Sequence, residues 1–292
     1  MAFMIKVLVT GATGLLGCSL VPFLQECGHQ VIRMGNTRAS DLNIDLVSYE
    51  QTARALDNTK PDVIINLAAL TNVDRCETHP QEAYLLNVKA VENLCAWIKT
   101  AGQVCHLIQI STDQVYDGPG PHSEGELTIC NFYAMSKLAG EIIAGTVSST
   151  ILRTNFVGRS LCGGRASLTD WLHCALIDQT AVNVFEDVMF SPLAISTLCD
   201  CIEHCIVERP PGVFNLGSRE GMSKADFAFA FAAARGLETT NLKRVNSKSI
   251  TTLVARRPTD MCMNSGRFEE CMDIKLPLLV DEVYRIADQY HR

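Results

Sequence analysis

No stretch of the sequence approaches the ~20 consecutive apolar residues that a helix needs to cross a bilayer. That absence predicts a chain with no membrane partner. No block of like charges occurs either, and Lys plus Arg (25) fall short of Asp plus Glu (32), for a net charge of -7. A chain balanced in this way offers no basic face to nucleic acid or to an anionic lipid surface. Low-complexity linkers and internal repeats are missing. The 292 residues therefore predict one large domain or two unequal lobes, enough to bury about three quarters of the unfolded surface. Residues 1–10 lead straight into an apolar strand pattern, so no secretory leader is expected ahead of the fold. C-x-x-C pairs are absent although cysteines number 13; free thiols in a reducing, cytoplasmic setting are the expectation. Cys199, Cys201, His204 and Cys205 lie close together on a helical pattern. They read as small apolar core residues, and no metal site is expected.

What is present is an alternation of strands and helices. Residues 5–10 are a short apolar run, followed at once by Gly11-Ala12-Thr13-Gly14-Leu15-Leu16-Gly17. Leu16, Leu20, Phe23 and Leu24 then recur at helical spacing until Gly28. Strand, glycine turn and helix form the setting of a dinucleotide-binding loop: glycines let backbone approach a pyrophosphate, and the helix N-terminus offers N–H groups and a positive dipole end. The spacing is G-x-x-G-x-x-G rather than the dehydrogenase G-x-G-x-x-G. The second strand, residues 30–34, carries Arg33 where an NAD site would hold an acid, and Arg38 follows. A cation suits a 2′-phosphate, so NADPH is favoured over NADH. A helix is predicted over 48–58, a third strand over 61–66, a long helix with Asn87 over 82–101, a fourth strand over 104–110 and a fifth over 150–153. Near-continuous apolar strands separated by helices predict a Rossmann-like, doubly wound parallel sheet in an α/β protein. Residues 1–157 form the expected dinucleotide-binding domain, with 193–217 returning to it, and 158–292 a smaller C-terminal substrate-binding lobe.

Ligands of such sheets gather at the carboxyl ends of the strands. Gly11, Ala68 and Thr112 all fall there. Beyond Thr112 a Gly/Pro-rich loop leads to Tyr133-Ala134-Met135-Ser136-Lys137, which opens a helical pattern. Residues i and i+4 share a helix face, so Tyr133 and Lys137 are neighbours. A phenol with a pKa near ~10 gives up its proton poorly at neutral pH. An ammonium about 4 Å away favours the phenolate by about 4 kcal/mol at an effective dielectric of ~20. Phenol, ammonium and a strand-end hydroxyl together make a proton donor for a carbonyl being reduced.

These motifs, with Asn66-Leu67-Ala68-Ala69 and Ser111-Thr112-Asp113, resemble those of the extended short-chain dehydrogenase/reductases. Within them the chain is similar to the dTDP-4-dehydrorhamnose reductase family. Thr71-Asn72-Val73-Asp74-Arg75-Cys76-Glu77, Tyr133 to Glu141, Arg153-Thr154-Asn155-Phe156 and Arg257-Pro258 match its further patterns. The resemblance implies an NADPH-dependent reductase of a nucleotide-linked 4-keto-6-deoxy sugar, in dTDP-L-rhamnose and polysaccharide biosynthesis. Tyr133 would donate the proton, Lys137 would hold the nicotinamide ribose, and Thr112 would bond the substrate carbonyl. Gly14, Leu15, Leu16, Asp45, Leu46, Ala68, Ala69 and Leu70 would line the cofactor, with Gly11 and Gly17 in its turn, and Asp113 and Phe156 would face the sugar nucleotide. Gln114, Phe156 and Phe190-Ser191-Pro192-Leu193 depart from the family's Tyr, Trp and G-x-P-T, which leaves the sugar open. A UDP- or GDP-sugar reductase or epimerase, and an NADP-binding regulatory subunit of the S-adenosylmethionine synthetase type, are the other readings. A homodimer is compatible with all of them.

Overall fold

The computed structural model describes residues 4–36, 39–250 and 253–291; Arg38 lies outside them. The chain divides into two compact units. The first holds Met1–Thr112, Asn131–Arg153 and Cys199–Val213; the second holds Asp113–Cys130, Thr154–Leu198 and Phe214–Arg292.

In the first unit the strands are β1 Lys6–Thr10, β2 Gln30–Gly35, β3 Leu42–Asn43, β4 Val63–Asn66, β5 His106–Ile110 and β6 Ser149–Thr154. With the strand Gly212–Leu216 they form a seven-stranded sheet in the order Gly212–Leu216, β6, β5, β4, β1, β2, β3. The registered pairs among β1 to β6 are all parallel. Parallel neighbours need crossovers, and helices supply them. Every residue of β4, β5 and β6 is buried, which accounts for the apolar runs at their centres: both faces are covered. Leu8, Ile64, Leu107 and Ile151 from four adjacent strands pack against Val91, Leu94 and Trp97. The chain winds outward from β1 in both directions, so the carboxyl ends of β1 and β4 form the switch point where such sheets bind ligands.

The helix expected over 82–101 is broken. It runs as Pro80–Tyr84, a π-helical turn Leu85–Lys89, and Ala90–Thr100. π-turns of this kind mark functional sites more often than chance, and this one carries Asn87. The edge strand β3 was not legible in the sequence; its two residues pair in parallel alongside the end of β2, with Met34 opposite Leu42.

The second unit is built from short strand pairs. Phe156–Val157 lies parallel to Leu193–Ala194, Met189–Phe190 antiparallel to Met222–Ser223, and Val182–Phe185 parallel to Leu242–Val245. Helices Leu168–Ile177, Lys224–Ala234 and Leu279–Asp288 cover them. A capping box, Ser167 with Asp170, starts the first, and Ser223 caps the second. Phe190, Phe227, Phe231, Leu172 and Val283 form its core.

Candidate active site

Within the first unit the glycine turn sits where the sequence put it. Gly11 has φ +62°, and a Cβ there would stand 2.9 Å from the Ala68 backbone nitrogen. Only glycine allows this approach of the β1 turn to the segment after β4. The helix that follows, Gly17–Glu26, has no side-chain cap and no acid in its first turn. An anion can therefore approach its positive end without displacing a carboxylate. Ala68 and its neighbours Ala69 and Leu70 follow β4 directly.

A row of buried polar side chains runs beneath these turns. Thr10, Asn66 and Gln109 are register partners on β1, β4 and β5. The Thr10 hydroxyl donates to Asn66 Oδ1 at 2.5 Å and accepts from the Ala68 N–H at 3.2 Å. Asn66 Nδ2 donates to Gln109 Oε1 at 2.8 Å, and Gln109 Nε2 to the Ile110 carbonyl at 3.2 Å. That same carbonyl takes the Lys137 ammonium at 2.7 Å. Sequence reading missed this ladder. The signal was there: each member is a polar residue near the end of an otherwise apolar run, which a buried strand tolerates only if the group is bonded.

Helix Phe132–Ala144 begins with Asn131, whose side chain accepts from the Ala134 N–H; Glu77 accepts from the Phe132 N–H. Tyr133, Ser136, Lys137, Gly140 and Glu141 all lie on its buried face. A Cβ at Gly140 would fall on the Asn87 carbonyl oxygen, so glycine lets the helix meet the π-turn. Asn87 is the clamp of the site. Its Oδ1 accepts from the Leu70 N–H at 2.8 Å, and its Nδ2 donates to the Leu70 carbonyl at 3.1 Å and to the Ser136 hydroxyl at 2.9 Å. The expected cofactor-lining segment and the expected proton-donor helix are thus joined by one amide. Thr112, buried, follows β5 two residues beyond its end. Burial lowers the Lys137 ammonium to about 8, against the opposing pull of Glu141 and Cys76.

Arg33 ends up in a different situation from the one expected. Asp41, eight residues on, binds its guanidinium with Nη2–Oδ1 at 2.6 Å and holds its backbone N–H at 2.9 Å. Asp45 and Leu46 follow β3; Asp45 Oδ1 accepts from the Val47 N–H at 3.0 Å, and the Leu46 carbonyl accepts from Asn93 Nδ2 at 2.8 Å.

In the second unit Asp113 is buried and accepts from Asn155 Nδ2 at 2.6 Å. Phe156, half-buried, stands opposite Leu193 in the short parallel pair. The Phe190 ring lies edge-on to Phe227, with the Lys224 ammonium 5.9 Å from its centroid. Burial lowers the Lys224 ammonium; Asp113 opposes this and Arg257 adds to it. A largely apolar cavity of about 200 Å³ adjoins Lys224, lined also by Leu168, Trp171, Asn183 and Phe185. Arg256 pairs with buried Asp117 at 2.6 Å. Among the described residues no group of three or more His, Cys, Asp or Glu could hold a metal ion.

The sequence model of the RmlD substrate binding domain matches residues 5–292. The spore coat polysaccharide biosynthesis protein SpsK of Bacillus subtilis is 32% identical over 245 residues, 82% of this chain and 82% of that one. The dTDP-4-dehydrorhamnose reductase of Aggregatibacter actinomycetemcomitans is 29% identical over 290 residues, covering 93% of this chain and 95% of its own. A crystal structure of dTDP-4-dehydrorhamnose reductase from Bacillus anthracis in complex with NADP superposes with a TM-score of 0.88 at 22% identity, over 97% of this chain and 99% of that one. At that identity the likeness is one of fold.

Proposed function

Because the chain belongs to the RmlD substrate binding domain family, we propose that it is an NADPH-dependent reductase of a nucleotide-linked 4-keto-6-deoxy sugar, with dTDP-4-dehydro-L-rhamnose the first substrate to test. The observation that carries this reading is the buried Tyr133–Lys137 face, with Lys137 bonded to the end of the strand that leads to Thr112. A relative bearing the reductase name over 93% of the chain supports the choice of sugar.

NADPH, when bound, supplies the hydride. The turn Gly11, Gly14, Leu15, Leu16, Gly17 holds its pyrophosphate, Ala68, Ala69 and Leu70 lie along it, and Asp45 and Leu46 line its adenosine end. Arg33 meets the 2′-phosphate, in competition with Asp41. Tyr133 donates the proton to the carbonyl oxygen, Thr112 orients that oxygen, and Lys137 holds the ribose and eases the loss of the phenol proton by its charge. Asp113 and Phe156 contact the sugar nucleotide, and the second unit is the substrate-binding lobe. Exposed Tyr84, Met135 and Ile142 in the first unit offer an apolar face to a second copy of the chain. Thirteen free thiols suit a reducing, cytoplasmic setting.

The test is oxidation of NADPH by purified protein with dTDP-4-dehydro-L-rhamnose, beside a thermal-shift screen of dTDP-, UDP- and GDP-sugars with NADPH present. Turnover with the dTDP sugar is expected. Binding of NADPH without turnover of any keto-sugar would instead favour a regulatory, partner-binding role.

A further inference from the structure

Helix Phe132–Ala144 carries a second buried ionisable group one turn beyond Lys137. Both oxygens of the Glu141 carboxylate are taken. Oε1 accepts from the Ser111 hydroxyl and from Arg153 Nε at 3.1 Å; Oε2 accepts from Arg153 Nη2 at 2.6 Å. The Arg153 and Glu141 side chains are 4% and 3% exposed. A pair buried this deeply is poor evidence of net stability, because desolvation offsets the attraction. Its location says more. Ser111 follows Ile110, whose carbonyl receives the Lys137 ammonium, and precedes Thr112. The segment is also pinned to β6, through the Ser111 N–H and the Leu152 carbonyl at 2.7 Å. Lys137 and Glu141 therefore hold two consecutive residues of one segment.

We propose that Glu141 is a positioning residue for the reduction: fixed by Arg153 and Ser111, its carboxylate sets the Ile110–Ser111–Thr112 segment and supplies the negative charge that the buried Lys137 ammonium needs. The proposal rests on the reductase reading above. Two groups act on the Lys137 charge: Glu141 on its own helix, which Tyr133 shares, and Cys76 on helix Val73–Thr78; Arg153 pairs with Glu141 from β6. Burial pushes the Cys76 thiol up to about 11, with Glu77 and Glu82 adding to it and Lys137 opposing. Cys76 is therefore neutral where Lys137 titrates, and Glu141 is the anion that acts on it. Since Glu141 raises the lysine against burial, its loss must move the ammonium's titration downward. The charge would then disappear at a lower pH, and the alkaline side of the activity profile would follow.

The experiment is a ¹³C NMR titration of the Lys137 Cε resonance in lysine-labelled protein, assigned with Lys137→Arg, alongside pH profiles of kcat. The wild-type midpoint is expected near about 8. In Glu141→Gln it should fall by about one unit or more, a roughly tenfold smaller ammonium fraction on the alkaline side, with kcat shifted likewise and KM for NADPH little changed. Glu141→Asp should recover part of the shift. Ser111→Ala keeps the ion pair and should lower kcat roughly 3- to 10-fold with a near-wild-type midpoint and melting temperature. If Glu141→Gln does not fold, Glu141→Gln with Arg153→Gln removes both charges and should still show a lowered midpoint. An unmoved midpoint in the folded variant overturns the electrostatic half of the proposal, and wild-type kcat in Ser111→Ala the positioning half. The titration needs no substrate, so it reports on Glu141 even if the reductase reading fails.

Discussion

At the end of β5, buried polar side chains from several elements hold one another: Asn66, Gln109, Ser111, Asn87, Ser136, Lys137, Glu141 and Arg153 each have a bonded partner within the first unit. In the second unit the fully buried Glu282 accepts from the Ala194 N–H at 3.0 Å, while the side chains paired in the ladder at Phe156 are themselves apolar. Asp113 has Asn155, but Phe156 and Leu193 face each other across a two-residue ladder, and the cavity beside Lys224 is walled mostly by carbon. The contrast follows from what each region is proposed to do. Proton transfer demands groups fixed to a fraction of an ångström, which a saturated low-dielectric network provides. Recognition of a variable ligand tolerates apolar walls whose residues can be exchanged. The first region should thus respond to substitution in rate and pH dependence, the second in substrate preference.

The largest effect is expected at the phenol. Tyr133→Phe removes only the donated proton, and should lower kcat by ~10²-fold or more while fold and NADPH affinity persist. Steady-state kinetics with a calorimetric titration of NADPH checks it; turnover at the wild-type rate would take Tyr133 out of the mechanism.

Asn87→Ala comes next. It strips three hydrogen bonds, leaving the Leu70 N–H without the Asn87 acceptor and the Leu70 carbonyl with the Cys76 thiol alone, in the proposed cofactor segment. Losing buried partners costs about 1–3 kcal/mol for each unsatisfied group. A lower melting temperature and a KM for NADPH raised roughly tenfold, with kcat less affected, are expected. A variant with normal melting and normal KM would show that the Leu70 segment needs no clamp.

A smaller, redirected effect is expected in the second unit. Phe156 and Leu193 are register partners, so Phe156→Trp and Leu193→Thr are coupled and belong in one variant. Trp adds volume and an N–H donor, and Thr adds a hydroxyl. Because sites with buried polar groups discriminate more sharply on ligand hydroxyls, the double variant should shift the ratio of kcat/KM between 4-keto sugar nucleotides several-fold and leave NADPH affinity alone. Leu193 is fully buried, so some loss of stability is expected as well. Equal losses for every sugar, in step with a fall in melting temperature, would mean that the pair only packs the unit.

How much of this was legible before the structure depends on the range of the interaction. The parallel sheet, the glycine turn and the Tyr133–Lys137 face follow from periodicity and local spacing, which the sequence displays directly. The π-turn at Leu85–Lys89 does not: a one-residue change in helical phase leaves a nearly unaltered apolar pattern, and only the contact with Gly140 reveals it. The Thr10–Asn66–Gln109 row joins residues 56 and 43 positions apart, so each looks like an isolated polar intrusion until the strands are aligned. In the second unit the strands Val182–Phe185 and Leu242–Val245 pair across a long stretch of chain, and short strands carry too few alternations to be read from pattern alone.

Arg33 is the finest case of that limit, and the place where the smallest effect is expected. Its position near the carboxyl end of β2 argued for a 2′-phosphate and hence for NADPH. The structure adds Asp41, bound to the same guanidinium and to the Arg33 backbone. Both side chains are close to half exposed, at 43% and 42%, so the pair itself contributes little to stability. Its consequence is electrostatic. The pairing with Asp41 raises the Arg33 guanidinium and lowers the Asp41 carboxyl, so both remain charged through the neutral range. A phosphate arriving at Arg33 must displace or share with a carboxylate of the same sign. On the proposed reading, an arginine paired in this way would favour NADPH less than an unpaired one, with Asp41 as the brake. Arg33→Ala should reduce NADPH affinity only roughly 3- to 10-fold, narrowing the gap to NADH. Asp41→Ala should do the reverse, tightening NADPH by a similar or smaller factor with NADH unchanged, since it frees the guanidinium and removes a repelling charge. Titrations of both coenzymes at two salt concentrations decide the matter: the two substitutions must act in opposite directions on NADPH, and more weakly in high salt. Parallel effects, or none on either coenzyme, would leave the Arg33–Asp41 pair as an ordinary surface ion pair and move the 2′-phosphate contact elsewhere on the chain.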